Sequence, residues 1–216
     1  MQRKHILIGT VAVSCLVMLA GCASLPSSGE LDRQSLAMHK TSFSDRGIAK
    51  MDRLDQDLGQ KACSSDQAPA EAIAKRIEAE ALASVKWPTA GQYIGDWREG
   101  EKLAQNGRGM TWSESSAATS ANGGSCYNCH QIGNHELSFG SIGPSLYNYG
   151  KLRGVKNVTD PASAAIVQYT WAKLWNSKAY SACSDMPRFG HAKVLDESQI
   201  RDVMALLLDP RSPVNQ

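Results

Sequence analysis

A chain of 216 residues allows one globular domain, or one domain with an extension, and a hydrophobic share of 42% is enough for a core. The formal net charge of +2 gives no case for nucleic-acid binding. Arg3 and Lys4 carry that small excess, and without them the 21 acidic residues are matched one for one.

Those two basic residues open a targeting segment. Ile6 to Ala20 is an apolar run of signal-peptide length, too short for a comfortable membrane span. It ends Leu19-Ala20-Gly21-Cys22, which resembles the lipobox of bacterial lipoproteins, where the cysteine takes a lipid. Ordinary cleavage leaving a free Cys22 is the alternative. The expected organisation is a lipoprotein signal peptide at 1–21, a lipid-anchored tether at 22–36, a helical extension at 37–90 and a main domain at 91–216. Acyl chains on Cys22 would hold the protein to a membrane face. Ala23 after the cysteine points to the outer membrane, hence to the periplasmic side.

Within the extension, Ile48, Met51, Leu54 and Leu58 recur at helical spacing and predict a helix over 43–58, capped by Ser44 or Asp45. A second helix is predicted from Pro69 to Val85, with Ile73, Ile77, Ala81 and Val85 on one face. Gly95 to Asn106 is the next, with Asp96 near its positive end. Gly100 inside it costs roughly 1 kcal/mol relative to Ala, so a close helix crossing is expected there. A long loop follows, from Gly107 to Ser125.

That loop delivers Cys126-Tyr127-Asn128-Cys129-His130. C-x-x-C-H is the attachment signature of c-type haem. Two thiols one turn apart reach the two vinyl groups of one haem, and the histidine that follows is carried under the ring to the iron. A structural zinc site needs a second pair of ligands, and the sequence offers no second C-x-x-C or H-x-x-x-H. A thioredoxin-like pair would follow a strand, whereas Ser115 to Ser125 is a Ser/Ala/Thr/Asn/Gly run.

Further on, Asp160-Pro161 predicts a helix start, with Ile166, Tyr169, Thr170 and Leu174 in one stripe and Trp171 and Trp175 in another. Ser181 to His191 reads as a loop. The last helix opens on the capping-box pattern Asp196-Glu197-Ser198-Gln199 and buries Ile200, Val203, Met204, Leu207 and Leu208 before Asp209-Pro210 stops it. No strand pattern competes, so the expected class is all-α, centred on one covalent haem.

Haem iron held by His130 needs a choice on its other face. Met186 is the expected ligand, because Pro187 keeps it extended in a stiff loop. His191 is the alternative; Met204 belongs to the core, and His135 is too close to His130 in sequence to cross the ring. A backbone carbonyl of the Gly143-Pro144 loop, Pro144 in particular, is placed to take the other ring proton of His130, although a plain turn proline explains the same residues.

Cys15 leaves with the signal peptide, Cys22 takes lipid, and Cys126 and Cys129 take haem. Cys63 and Cys183 remain. In an oxidising compartment they are expected to pair, which would pin the Met186 loop and be worth about 4–5 kcal/mol by loop entropy. A free Cys183 acting as a nucleophile in sulfur chemistry is the alternative. Lys151, Arg153, Lys156, Lys173, Arg188 and Lys193 either steer an acidic partner or are solvated surface.

Cys126 to Gln131, Gly143-Pro144-Ser145-Leu146 and Met186 to His191 together resemble class I cytochromes c. Gln199 to Val203, Leu206 to Pro210 and Ser212 to Asn215 narrow the resemblance to the monohaem X subunit family of the sulfur-oxidising cytochrome complex SoxAX, over roughly residues 86–216. The resemblance implies a class I cytochrome c fold and an electron-transfer subunit without a catalytic residue of its own. It implies a haem-bearing A subunit as heterodimeric partner, where thiosulfate is joined to a cysteine of a carrier protein. The electrons would pass through this chain to a downstream acceptor. A free-standing lipid-anchored electron shuttle is the competing expectation.

Overall fold

A computed structural model describes residues 25–216, so the signal segment 1–21 and Cys22 lie outside the described residues. The chain divides between Ser44 and Asp45 into two units.

The first unit contains one helix, α1, Ser28–Ser42. It occupies much of what the sequence suggested was tether. Ser27 caps it by accepting the Glu30 N–H, and the Glu30 carboxylate in turn takes Arg33 and Gln34. None of its residues is buried.

The helix predicted over 43–58 does not form, although its apolar spacing is helical. Arg46 and Ala49 instead exchange backbone hydrogen bonds around Gly47, which sits at φ +52°. That left-handed backbone suits glycine, and a side chain there would run into the Glu114 and Trp112 carbonyls. Ile48 N–H reaches Glu114 O, and the Arg53 guanidinium reaches Met110 O at 2.8 Å. Tertiary bonds to the 110–114 loop have overridden local periodicity. Only a single turn, Met51–Leu54, is helical in this stretch, and it is of the tighter 3-10 type.

Six more helices follow. They are α2, Leu58–Cys63; α3, Glu71–Ala83; α4, Trp97–Gln105; α5, Tyr149–Leu152; α6, Ala164–Trp175; and α7, Glu197–Leu208. Among the described residues there is no β-strand, only the Arg46–Ala49 bridge, so the class is all-α. Helix α3 starts two residues after Pro69 rather than on it. Likewise, α4 starts at Trp97 with Asp96 as its cap, because Gly95 N–H is drawn away to Arg201 O at 2.9 Å. Tyr169 also departs from expectation: it is half exposed against Tyr180 and not part of the buried stripe.

The core is built on the crossing of α4 over α7. Gly100 and Ala104 of α4 are buried there, and a side chain at Gly100 would strike the Asp202 carbonyl. This is the close approach that explains a glycine in mid-helix. Helix α7 is closed at its start by the predicted Asp196–Gln199 capping box and is buried from Val203 to Leu208. Trp171 of α6 is fully buried and donates its indole N–H to Lys86 O at 2.9 Å, joining residues before position 90 to the helices after it. Residues 45–90 thus fold as part of the same body, without a boundary at 90/91.

The C-terminal block is an internal brace. Asn215 donates to Leu207 O and Asp209 O and accepts from Gly150 N–H and Lys151 N–H, all within 3.1 Å. Ser212 Oγ donates to Leu206 O at 2.6 Å. These residues satisfy the last carbonyls of α7 and the first amides of α5, groups that a helix leaves orphaned at its ends.

Candidate haem-attachment site

The C-x-x-C-H stretch is a single tight turn, Cys126–Asn128, entered from Ser125 in the left-handed conformation (φ 51°). Cys126 O accepts from Cys129 N–H at 3.1 Å and His130 N–H at 2.9 Å, which folds the histidine back over the first cysteine. Both cysteines are free thiols and half-buried. The turn is anchored to the end of α4: Gly124 N–H reaches Leu103 O at 2.8 Å, and Ser125 N–H reaches Asn106 O at 3.0 Å.

A second strip of chain runs beside the motif. Gly140 N–H bonds Tyr127 O, Gly143 N–H bonds Cys129 O, and Leu146 N–H bonds Gln131 O, each within 2.8 Å. This register puts Pro144 O at 2.7 Å from His130 Nδ1. A carbonyl can only accept, so Nδ1 carries the proton and the lone pair lies on Nε2, the nitrogen left for a metal. Gly143 lies close against the imidazole, and a Cβ there would overlap the ring.

Burial pushes the Cys126 thiol up to about 12. At neutral pH it is therefore protonated, which argues against a redox dithiol whose leading cysteine must ionise easily. Among the described residues, no three His, Cys, Asp or Glu side chains converge as a metal-ion site. The donor set suits a haem instead: two thiols on one turn, one imidazole with Nε2 available, and apolar surroundings. Cys126, Leu146 and Met186 all border the same hydrophobic core.

Met186 is half-buried in the 181–190 loop. Ser177 Oγ donates to Met186 O at 2.5 Å, and Lys173 Nζ in turn donates to Ser177 O at 2.9 Å. Gly190 is pressed against the Trp175 indole, and His191 N–H bonds Trp175 O at 3.0 Å. The His191 side chain is exposed, and Met204 is fully buried in the core. Cys63 and Cys183 form a disulfide, with Cα atoms 5.4 Å apart, so the alternative of a free Cys183 nucleophile is set aside. Three of the basic residues considered for partner steering have internal duties: Lys173 as above; Arg153, which donates to Tyr149 O at 3.2 Å and lies over the Tyr149 ring; and Arg188, which binds Asp57 Oδ2 at 2.7 Å.

Glu101 was not legible as a site residue. Its Oε1 accepts the buried Tyr127 hydroxyl at 3.0 Å, and its Oε2 is buried with no hydrogen-bond partner among the described residues. Burial, then the Glu101 charge, pushes the Tyr127 phenol well above its ordinary value. The pair locks α4 to the attachment turn across 26 residues of sequence. The close approach of Gly140 to the Asn128 carbonyl, which a Cβ would overlap, was equally hidden; its only signal was the density of glycine after the motif.

No family model matches the chain. A protein of Aquifex aeolicus (strain VF5), described as an uncharacterized lipoprotein, is 36% identical over 167 residues, which is 74% of this chain and 73% of the relative. At that identity and coverage, the chain belongs to the same protein family as the Aquifex lipoprotein.

Proposed function

We propose that the protein is a lipid-anchored monohaem c-type cytochrome that transfers electrons. The observation that carries this reading is the His130–Pro144 contact at 2.7 Å, made on the turn that bears the two free thiols. Cys126 and Cys129 would hold the ring covalently, and His130, through Nε2, and Met186 would be the residues that hold its iron. A bound haem supplies one-electron redox chemistry. The chain's own part is to fix the imidazole through Pro144, to exclude water with the core around Trp171 and Trp175, and to hold the thioether on a braced loop. Thioether ligation sets a higher potential than two imidazoles would.

The membrane attachment rests on Leu19-Ala20-Gly21-Cys22 and is supported by the description of the Aquifex relative as a lipoprotein. A periplasmic face, with outer-membrane placement, follows from the export signal and Ala23.

Within electron transfer, the X-subunit resemblance favours a place in a thiosulfate-oxidising complex, beside a haem-bearing A subunit that does the sulfur chemistry. One observation favours the alternative, a free-standing shuttle. The C-terminal block that narrows the resemblance is spent on bracing α5 and α7, so it speaks for fold more than for partner. Purification from the native host separates the two readings. A constant one-to-one partner with its own haem supports the complex, and a lone monohaem chain supports the shuttle.

A further inference from the structure

Helix α2 is tied to the Met186 loop at both of its ends. At its start, the capping residue Asp57 binds Arg188, two residues after Met186, at 2.7 Å. At its end, Cys63 is bridged to Cys183, three residues before Met186. Lys178 lies between, nine-tenths buried, with Nζ on Ala182 O at 2.9 Å and 4.0 Å from Cys63 Sγ. The helix has six residues and buries only Gly59, so its own core contacts hold it weakly. A cleft of about 380 Å³ runs between helix and loop, lined by Gln60, Met186, Arg188 and both bridged cysteines. Cys183 is exposed, while Cys63 is half-buried beside the Lys178 ammonium.

We propose that α2 is a splint across the Met186 loop, and that the Cys63–Cys183 bond in this cleft is a thiol-exchange site through which a dithiol reductant releases that loop. The incoming thiolate bonds to Cys183 Sγ, the S–S bond breaks, and Cys63 departs as a thiolate next to the Lys178 ammonium. The second thiolate of the reductant then attacks its own sulfur in the mixed disulfide and frees Cys183. The reductant closes to a disulfide, giving up two electrons and two protons, and the protein gains two thiols. Accessibility of the attacked sulfur and stabilisation of the departing one are what such exchange requires. Arg188–Asp57, the Lys178 contacts and the Cys63 Sγ contact to Ala182 O at 3.4 Å are then the polar ties left between loop and helix among the described residues. Release of the loop stands on the geometry alone; its effect on an iron ligand rests on the Met186 reading above.

The test uses the folded mature protein, treated with dithiothreitol and then alkylated, with ascorbate-treated protein as the control in which iron is reduced but disulfides are not. Both cysteines are expected to alkylate without unfolding. Amide exchange over 181–190 is expected to rise at least about tenfold while α7 is unchanged. The shifted methionine methyl resonance of the ferrous protein is expected to broaden or disappear. An Arg188→Ala variant, which cuts the other tie, is expected to add to the effect. The proposal is overturned if the bridge resists dithiothreitol until the protein unfolds, or if it is cut and exchange over 181–190 does not change. If exchange rises in protein whose ascorbate control shows no shifted methyl resonance, the splint stands and Met186 is not the ligand.

Discussion

The carbonyl oxygen of Pro144 lies 2.7 Å from Nδ1 of His130, and the residue before that proline, Gly143, has no room for a side chain against the same imidazole. The proline thus acts through its backbone, and the glycine makes the approach possible. Gly143→Ala is expected to push the 140–146 strip off the motif and turn the ring. The measurable result is a fall of severalfold in the yield of haem-loaded protein, with the helical circular-dichroism signal retained.

Gly100→Ala tests the helix crossing. Helix propensity alone would gain about 1 kcal/mol. The added Cβ meets the Asp202 carbonyl, which cannot give way inside α7. Overpacking of this kind costs about 1–3 kcal/mol, so the net change is expected to be destabilising. A urea midpoint that falls with an unchanged slope is the expected result.

Asn215→Ala removes two donors and two acceptor contacts from a buried junction. The Gly150 amide and the Leu207 carbonyl would be left buried and unpaired. A loss of about 2–4 kcal/mol in unfolding free energy is expected, more than a surface substitution gives.

The Asp57–Arg188 tie predicts a pH dependence. Burial alone would raise the Asp57 carboxyl, but hydrogen bonds from the Gln60 amide and Arg188 outweigh it and hold the group below its ordinary range. A depressed carboxyl contributes stability that is fully present above the unfolded value of about 3.9 and is lost as pH falls through the folded value. The pair is partly exposed, at 24% and 44%, so its worth is about 0.5–1 kcal/mol after screening. Thermal midpoints of the wild type and Arg188→Ala, compared at pH 7 and near pH 3, should differ more at pH 7.

What could be read from the sequence was what is local. Asp196 and Gln199 announce α7 because a capping box is closed within four residues. The same logic, Ser27 with Glu30 three residues on, marks α1, but the surrounding Pro, Ser and Gly read as tether. The 43–58 stretch misleads because its apolar spacing is helical while Gly47, Ile48 and Arg53 are committed to a loop some sixty residues away. Cys126, Cys129 and His130, which one tight turn brings together, were legible by type and spacing, and Met186 was legible as a candidate ligand from Pro187 beside it. Glu101 under Tyr127 and Asp57 on Arg188 were not, since each depends on which helix the fold lays beside the motif or the loop.

The central claim is a porphyrin held covalently by Cys126 and Cys129, and intact mass with the visible spectrum of the mature polypeptide tests it most directly. Expressed in a host that matures c-type cytochromes, the protein is predicted to carry the mass of one haem through denaturation and to show a Soret band that both Cys126→Ser and Cys129→Ser diminish. A mass equal to polypeptide plus lipid, without Soret absorption, would contradict the account.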